Sequence, residues 1–502
     1  MNAWQYSLLV VYALGSLGLM VYGTHCYLMS YLFLRRQKGM RRQIQQEIEA
    51  FNLGRAATDY PLVTIQLPIY NEKDVVERLI RSAAEVDYPR NAFEIQVLDD
   101  SQDETREIVD RTAEDLRAQG ISIEVVRRPI RTGFKAGALA YATPRARGEY
   151  MAIFDADFIV PREFLMRTIA LIHNRPDVAC VQGRWGHTNR LENWLTRAQS
   201  VGIDGHFAAE QGARSYNQLC MNFNGTAGIW RKSAIEAVGG WQGDTLTEDL
   251  DLSYRVQLAG YRIRFDFDLE CPAELPNHVV AFKSQQRRWA KGSMETAIKL
   301  LPSIFSSKRL SWGQKLEAFL HLTHYSVAVL MVMVCCLTLP VLLWVPVPSG
   351  KWVITVLWTI IALSAMAPCF MYTISGIVLR RGWFSLAHFP AMLVTGTGLC
   401  LNNAMAVVEA LLGYKTDFIR TPKSGSIGKV SKTAVYQVNA NFLLAIGEIA
   451  LGLYCLLALG AYTHAHKYIF GFFIAAYGVG LLSFGLMTLK SGLFRVRPVA
   501  VP

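Results

Sequence analysis

Apolar and polar residues fall into three blocks along the chain. From residue 6 to 34 the chain is apolar and carries no formal charge before Arg35. The run is too long for a signal-peptide core and no basic residue precedes it, so it predicts a transmembrane helix long enough to tilt. Its flank, Arg35-Arg36-Gln37-Lys38 and then Arg41-Arg42, is cytoplasmic by the positive-inside rule. From about residue 60 to 275 the texture changes. Short β-rich runs (63–67, 94–98, 121–126, 150–154, 178–181) alternate with helix-like stretches near 72–85, 103–119, 134–144 and 161–174. Such alternation predicts a parallel α/β sheet, which binds ligands at the carboxyl ends of its strands. Beyond it, apolar runs of spanning length recur near 319–344, 352–379, 439–462 and 466–489. A further run, 384–413, holds Asn402, Asn403 and Glu409. If that run spanned, the basic loop after it, with Lys415, Arg420, Lys423, Lys429 and Lys432 against the single acid Asp417, would lie outside. Parity therefore makes 384–413 interfacial or re-entrant and leaves five spans. The segment 290–318 mixes Lys and Arg with Leu, Ile, Phe and Trp and is expected along the membrane surface.

Composition agrees with a membrane protein that carries a soluble part. The chain has 502 residues, 52% of them hydrophobic and 18% charged, with a formal net charge of +11. No zinc-finger or RNA-binding pattern accompanies the charge, so nucleic acid is not an expected partner and positive-inside loops explain the excess. The nine cysteines form no C-x-x-C pair, and several lie in apolar runs. They read as buried hydrophobes.

Four motifs carry candidate chemistry. Asp155-Ala156-Asp157 follows the apolar run 151–154, so a buried strand delivers two close carboxylates to its carboxyl end. Their repulsion is relieved by a divalent cation, whose usual companion is a diphosphate. Asp99-Asp100-Ser101 ends the second strand, where a carboxylate can bind a base or a ribose; an ordinary helix cap is the alternative. Thr247-Glu248-Asp249 offers a general base, or again a helix cap. Gln285, Arg288 and Trp289 share one helix face. The Gln and Arg suit phosphate oxygens and the indole suits a sugar ring, unless the helix is simply basic and amphipathic.

This ordered set resembles the processive family 2 glycosyltransferases, the cellulose, hyaluronan and mannan synthases. Gln66 to Glu72, Lys135 to Leu139, Val181 to Trp185 and Phe223 to Arg231 are locally similar to cellulose-synthase-like glucomannan synthases. Phe418, Thr421 and Lys423 match that family's gating loop, with Arg420 where it has Val. The resemblance implies a GT-A-like α/β nucleotide-sugar transferase domain with a mainly parallel sheet, plus an α-helical transmembrane bundle. The divisions expected are a transmembrane helix (1–36), a cytoplasmic linker (37–59), the transferase domain (60–289) and interface helices (290–318). Two transmembrane helices (319–379), the 384–413 segment, a gating-type loop (414–436), two further transmembrane helices (439–489) and a tail (490–502) follow.

By the same resemblance Asp249 is the catalytic base of an inverting displacement. Tyr70, Glu72, Asp99, Lys135, Asp155, Gln285, Arg288, Thr421 and Lys423 bind the nucleotide sugar, and Trp289 and Glu248 bind the acceptor. Asp157, with Asp155, holds Mg²⁺ or Mn²⁺. The donor is UDP-glucose or GDP-mannose, and the product a β-linked glucan, mannan or glucomannan passed through the membrane. The catalytic domain would be cytoplasmic, in a bacterial plasma membrane or a eukaryotic Golgi or plasma membrane. Asn402, Asn403, His321 and His324 are candidates to line the polymer path or simply to pack, and His206 to line the acceptor cleft or to sit satisfied in the core. A non-processive transferase acting on a membrane lipid would use the same motifs. A transporter with a cytoplasmic regulatory domain would need paired ionisable residues in its spans or an internal repeat, and neither is evident.

Overall fold

The N-terminal apolar run and the polar stretch behind it form one helix, α1 (Ala3–Asn52), in a computed structural model that describes residues 2–346, 351–416 and 441–493. Most of the expected cytoplasmic linker, 37–59, is thus helical, as α1 continues to Asn52. Gln43 and Gln45 donate to Glu47 and Glu49 at 2.9 and 2.8 Å, i,i+4 pairs that support a helix. Ile44, Ile48 and Phe51 recur at helical spacing and are buried. Ion pairs fasten the same segment to the α/β unit, Arg41 to Asp268 at 2.5 Å and Glu47 to Arg264 at 2.7 Å. Nearer the N-terminus Leu14, Leu17, Val21 and Leu28 face outward, as suits lipid.

The α/β unit runs β1 (Val63–Ile69), α2 (Val76–Ala84), β2 (Phe93–Asp99), α3 (Thr105–Ala118), β3 (Ile123–Val126), α4 (Phe134–Ala142), β4 (Tyr150–Ile153), α5 (Phe164–Ile172) and β5 (Val178–His187). It continues through α6 (Trp194–Asp204), a π-helical turn Gly205–Gln211, α7 (Gly212–Tyr216), β6 (Gly228–Arg231), α8 (Lys232–Ala237), α9 (Glu248–Leu258) and β7 (Arg262–Ala273). The strand order is β3-β2-β1-β4-β6-β5-β7. β1, β2, β3 and β4 pair in parallel, β6 runs antiparallel between β4 and β5, and β5 pairs with β7 in parallel. β2 and β4 are buried along their whole length, the signature of a sheet covered on both faces. All the parallel strands from β1 to β4 end at one edge, and there the candidate residues gather.

The membrane part comprises α10 (Val279–Ser306), α11 (Trp312–Leu322), α12 (Ser326–Trp344), α13 (Lys351–Val378), α14 (Phe384–Ala387), α15 (Phe389–Leu411), α16 (Phe442–His464) and α17 (Tyr468–Leu493). Among the described residues α1, α12, α15, α16 and α17 are long and apolar enough to cross a bilayer. The boundary expected at residue 289 falls inside α10, which passes unbroken from the transferase unit to the interface. The 384–413 run, expected to be interfacial or re-entrant, holds one continuous helix of 23 residues, α15, rather than a re-entrant turn. It packs on α10 and α6 as well as on α12 and α17, so its Asn402 and Asn403 are buried in contacts. Asn402 donates to the Lys283 carbonyl at 3.1 Å and to Asn403 at 2.9 Å. The nine cysteines carry no disulfide among the described residues, and most are buried.

Candidate active site

A cleft with an empty volume of about 1290 Å³ opens at the carboxyl ends of β1, β2 and β4. At its centre the chain leaves β4 through Phe154. That ring packs edge-on against Phe164 at 4.6 Å, and Phe158 packs edge-on against Trp185 at 5.3 Å. Two buried aromatics thus pin the segment on either side of Asp155 and Asp157, and both carboxylates line the cleft. The Asp155 N–H donates to Thr226 Oγ1 at 2.9 Å, which fixes the backbone there.

Lys135, on α4, donates to the Asp155 carboxylate and to the Gly225 carbonyl, the latter at 2.8 Å. Burial works against its charge, but Asp155, Glu248 and Asp249 more than compensate and hold its pKa above the usual lysine value. α4 starts tightly: a Cβ on Gly137 would meet the Thr132 carbonyl at 2.0 Å, so glycine is required for the backbone to close up.

Asp249 stands across Gly225 from this lysine. Gly225 has φ +81°, and a Cβ there would lie 3.0 Å from Asp249 Oδ2 and 3.5 Å from Lys135 Nζ. Glu248 and Asp249 open α9. Thr247 precedes them without a side-chain capping bond; its hydroxyl instead meets Thr296 at 3.2 Å, so the helix-cap alternative does not account for the motif. Burial, then the neighbouring Glu248, push Asp249 up to about 7. Lys135, the Leu250 N–H at 2.8 Å and Arg288 pull the other way. Burial also raises Glu248. A carboxyl that titrates near neutrality is suited to take a proton and to release it.

α10 closes the cleft with Gln285, Arg288 and Trp289 on its inner face. Burial lowers Arg288 against the pull of Glu248, Asp155 and Asp249. At the other end Tyr70 and Glu72 follow β1, and Arg131 lies 3.4 Å over the Tyr70 ring. Ten of the predicted residues therefore meet in one cleft: Tyr70, Glu72, Lys135, Asp155, Asp157, Glu248, Asp249, Gln285, Arg288 and Trp289.

Asp99 does not join them. Its side chain is fully buried, pairs with Arg127 at 2.8 Å and accepts the Ser101 N–H at 3.0 Å. Its neighbour Asp100 faces the cleft instead, gripped by Arg128 Nη2 at 2.6 Å and Nε at 2.8 Å. The last residue of β2 points into the structure and the next one into the opening. Thr421 and Lys423 lie outside the described residues. His206 bonds Glu210 at 2.8 Å and Asn224 at 3.0 Å, and only Asn224 reaches the cleft wall. His321 bonds Tyr254 at 2.7 Å and His324 bonds the His321 carbonyl at 2.7 Å. The sequence reading also missed Arg128, Arg131, Trp185 and Gly225. The basic run 127–131 directly after β3 was the available signal for the first two.

Residues 64–239 match the family model for glycosyl transferase family 2. The probable glucomannan 4-beta-mannosyltransferase 1 of Arabidopsis thaliana is 32% identical over 444 residues, 84% of this chain and 77% of that protein. The glucomannan 4-beta-mannosyltransferase 9 of Arabidopsis thaliana is 31% identical over 459 residues, 87% of this chain and 83% of that protein.

The chain belongs to glycosyltransferase family 2, with relatives among the cellulose-synthase-like glucomannan synthases.

Among solved structures, the mannosyltransferase PcManGT from Pyrobaculum calidifontis, in complex with GDP-Man and Mn²⁺, aligns with a TM-score of 0.46 and 20% identity over 78% of this chain and 100% of that one. The mixed, mostly parallel sheet with its membrane helices is the GT-A-like arrangement expected of such a family 2 glycosyltransferase.

Proposed function

We propose that this glycosyltransferase is an inverting, processive hexosyltransferase. It extends a β-linked polysaccharide of glucan, mannan or glucomannan type from GDP-mannose or UDP-glucose on the cytoplasmic face and passes the product through its membrane helices. One observation carries the reading. Asp249, Lys135, the Asp155/Asp157 pair and the Gln285/Arg288/Trp289 face come from four separate motifs and line one cleft beside the bundle. The names of the relatives favour mannose in the product.

The roles follow from the chemistry of each group. Asp249 takes the proton of the acceptor hydroxyl as that oxygen attacks the anomeric carbon. The diphosphate leaves from the opposite face, so the configuration inverts. Arg288, Gln285 and Lys135 bind the departing diphosphate. Trp289 and Glu248 hold the acceptor sugar, the indole as a floor. Tyr70, Glu72 and Asp100 line the end of the cleft suited to the nucleoside.

A divalent cation fits the donor set. Asp155 and Asp157 supply hard carboxylate oxygens lining the cleft. Mg²⁺ or Mn²⁺ is commonly held by one or two carboxylates together with phosphate oxygens. Such an ion would stabilise charge on the leaving diphosphate.

The deciding experiment incubates membranes containing the protein with a panel of labelled GDP- and UDP-sugars and sizes the product. A metal-dependent, β-glycosidase-sensitive polymer is expected. A single glycolipid product would refute the polymerase reading.

A further inference from the structure

α10 has two working faces. At about 100° per residue, Gln285, Arg288 and Trp289 fall on the side that lines the cleft. Lys283, Arg287 and Lys291, at i, i+4 and i+8, form a cationic stripe on the opposite side. Each stripe residue grips a different C-terminal element. Lys283 Nζ donates to Glu448 of α16 at 2.7 Å and to Thr488 of α17 at 3.1 Å. Arg287 pairs with Glu409 of α15 and reaches the Asn402 carbonyl at 3.4 Å. Lys291 donates to the Tyr414 carbonyl and, at 2.9 Å, to Thr416 Oγ1, both in the segment that follows α15.

We propose that this stripe is a positioning device. It sets the rotation and height of α10, and so the placement of Gln285, Arg288 and Trp289, against the C-terminal membrane helices. The inference rests on the transferase reading above and adds residues that never touch the sugars. Two physical points favour it over plain adhesion. The Lys283 and Glu448 side chains are 6% and 0% exposed, and a buried ion pair adds little stability that a well-packed apolar pair would not. What it does add is register, because a charge inside an apolar bundle has one acceptable partner position. An ionisable residue within a membrane helix is also costly to keep without a task. A sliding or turning α10 would move the diphosphate grip and the acceptor floor together.

The test uses the full-length protein in lipid nanodiscs. Donor KM and kcat are measured per folded molecule for wild type, Glu448→Gln, Lys283→Met and the exchange Lys283→Glu/Glu448→Lys. A second pair, Glu409→Gln and Arg287→Met, is only partly buried and covers the case in which the first set does not fold. Each single variant should raise donor KM and lower kcat, with kcat/KM falling tenfold or more. The exchange should recover most of that loss. Variants that fold less well yet keep wild-type KM and kcat per folded molecule would overturn the inference while leaving the transferase reading intact. Failure of the wild type to turn over any nucleotide sugar would overturn both.

Discussion

The most exacting prediction concerns proton transfer at α9. Asp249 sits at about 7 because burial and Glu248 together outweigh Lys135, the Leu250 N–H and Arg288. At pH 6 about a tenth of free enzyme then has this carboxylate ionised, and at pH 8 about nine tenths. The kcat/KM for donor, which reports the free enzyme, should therefore rise roughly tenfold from its pH 6 value to a plateau above pH 8. Glu248→Gln keeps the side chain's size and removes the negative neighbour. Two carboxylates about 6–8 Å apart repel by about 2–3 kcal/mol at an effective dielectric of about 20, and solvent access in an open cleft roughly halves this, leaving about 1 pK unit. The acidic limb should move down by that amount, so the rate at pH 6 relative to its own plateau rises about fivefold. The assay is initial transfer of labelled sugar at subsaturating donor, at fixed ionic strength. Asp249→Asn should cost about 10²- to 10⁴-fold in kcat and remove the limb. A profile flat between pH 5.5 and 8.5, or a limb that Glu248→Gln leaves unmoved, would refute the assignment of Asp249 as base. The same raised pKa acts oppositely on folding. Protonated Asp249 favours the fold at low pH, and that contribution is lost as pH rises through about 7.

Further outcomes separate the remaining roles. Asp99→Asn should lower stability by about 1–3 kcal/mol, as for a broken buried charge-assisted bond, and leave donor KM near normal in steady-state assays. Asp100→Asn should instead raise donor KM about tenfold. Chelation with EDTA should abolish transfer, and Mg²⁺ or Mn²⁺ should restore it; Asp157→Asn should need far more metal for half-maximal rate. Gly225→Ala places a methyl 3.0 Å from Asp249 Oδ2 at a φ that costs an L-residue about 1–2 kcal/mol. Its kcat should fall about 10- to 100-fold, with thermal unfolding showing only the backbone cost.

Much of the catalytic unit was legible because its strands are buried on both faces and read as unbroken β-rich runs. β6 and β7 escaped notice for opposite reasons. β6 has four residues with a glycine at its head, and the polar Arg262, Arg264, Asp266 and Asp268 of β7 mask its apolar alternates. The 37–59 stretch looked like a linker because its apolar positions are sparse, yet three at helical spacing suffice when a sheet lies beneath them. Asp99 and Asp100 are indistinguishable in composition; what separates them is one step of backbone and the reach of Arg127 and Arg128 from the end of β3. Asn402 and Glu409 suggested a broken or surface segment. In the structure their polarity is spent on α10, through the Lys283 carbonyl and Arg287.

The transferase unit is fastened to the helical bundle at several points. α1 holds β7 through Arg41 and Glu47. Arg381, just beyond α13, reaches Asp204 at 3.2 Å at the end of α6. α10 carries the stripe. α1 and the segment after α13 thus end in charged contacts on the transferase unit, while α10, itself a wall of the cleft, sends charged contacts out to α15 and α16. An enzyme releasing a free product would need only a tether, and one strut would serve. Repeated displacement on one growing acceptor is more demanding. Each new terminal hydroxyl must return to within bonding distance of Asp249 and the anomeric carbon, and misplacement by about 1 Å can cost about a hundredfold in rate. For the processive reaction proposed above, the membrane helices are the frame that would hold Trp289 and Asp249 at a constant separation while the acceptor moves between them.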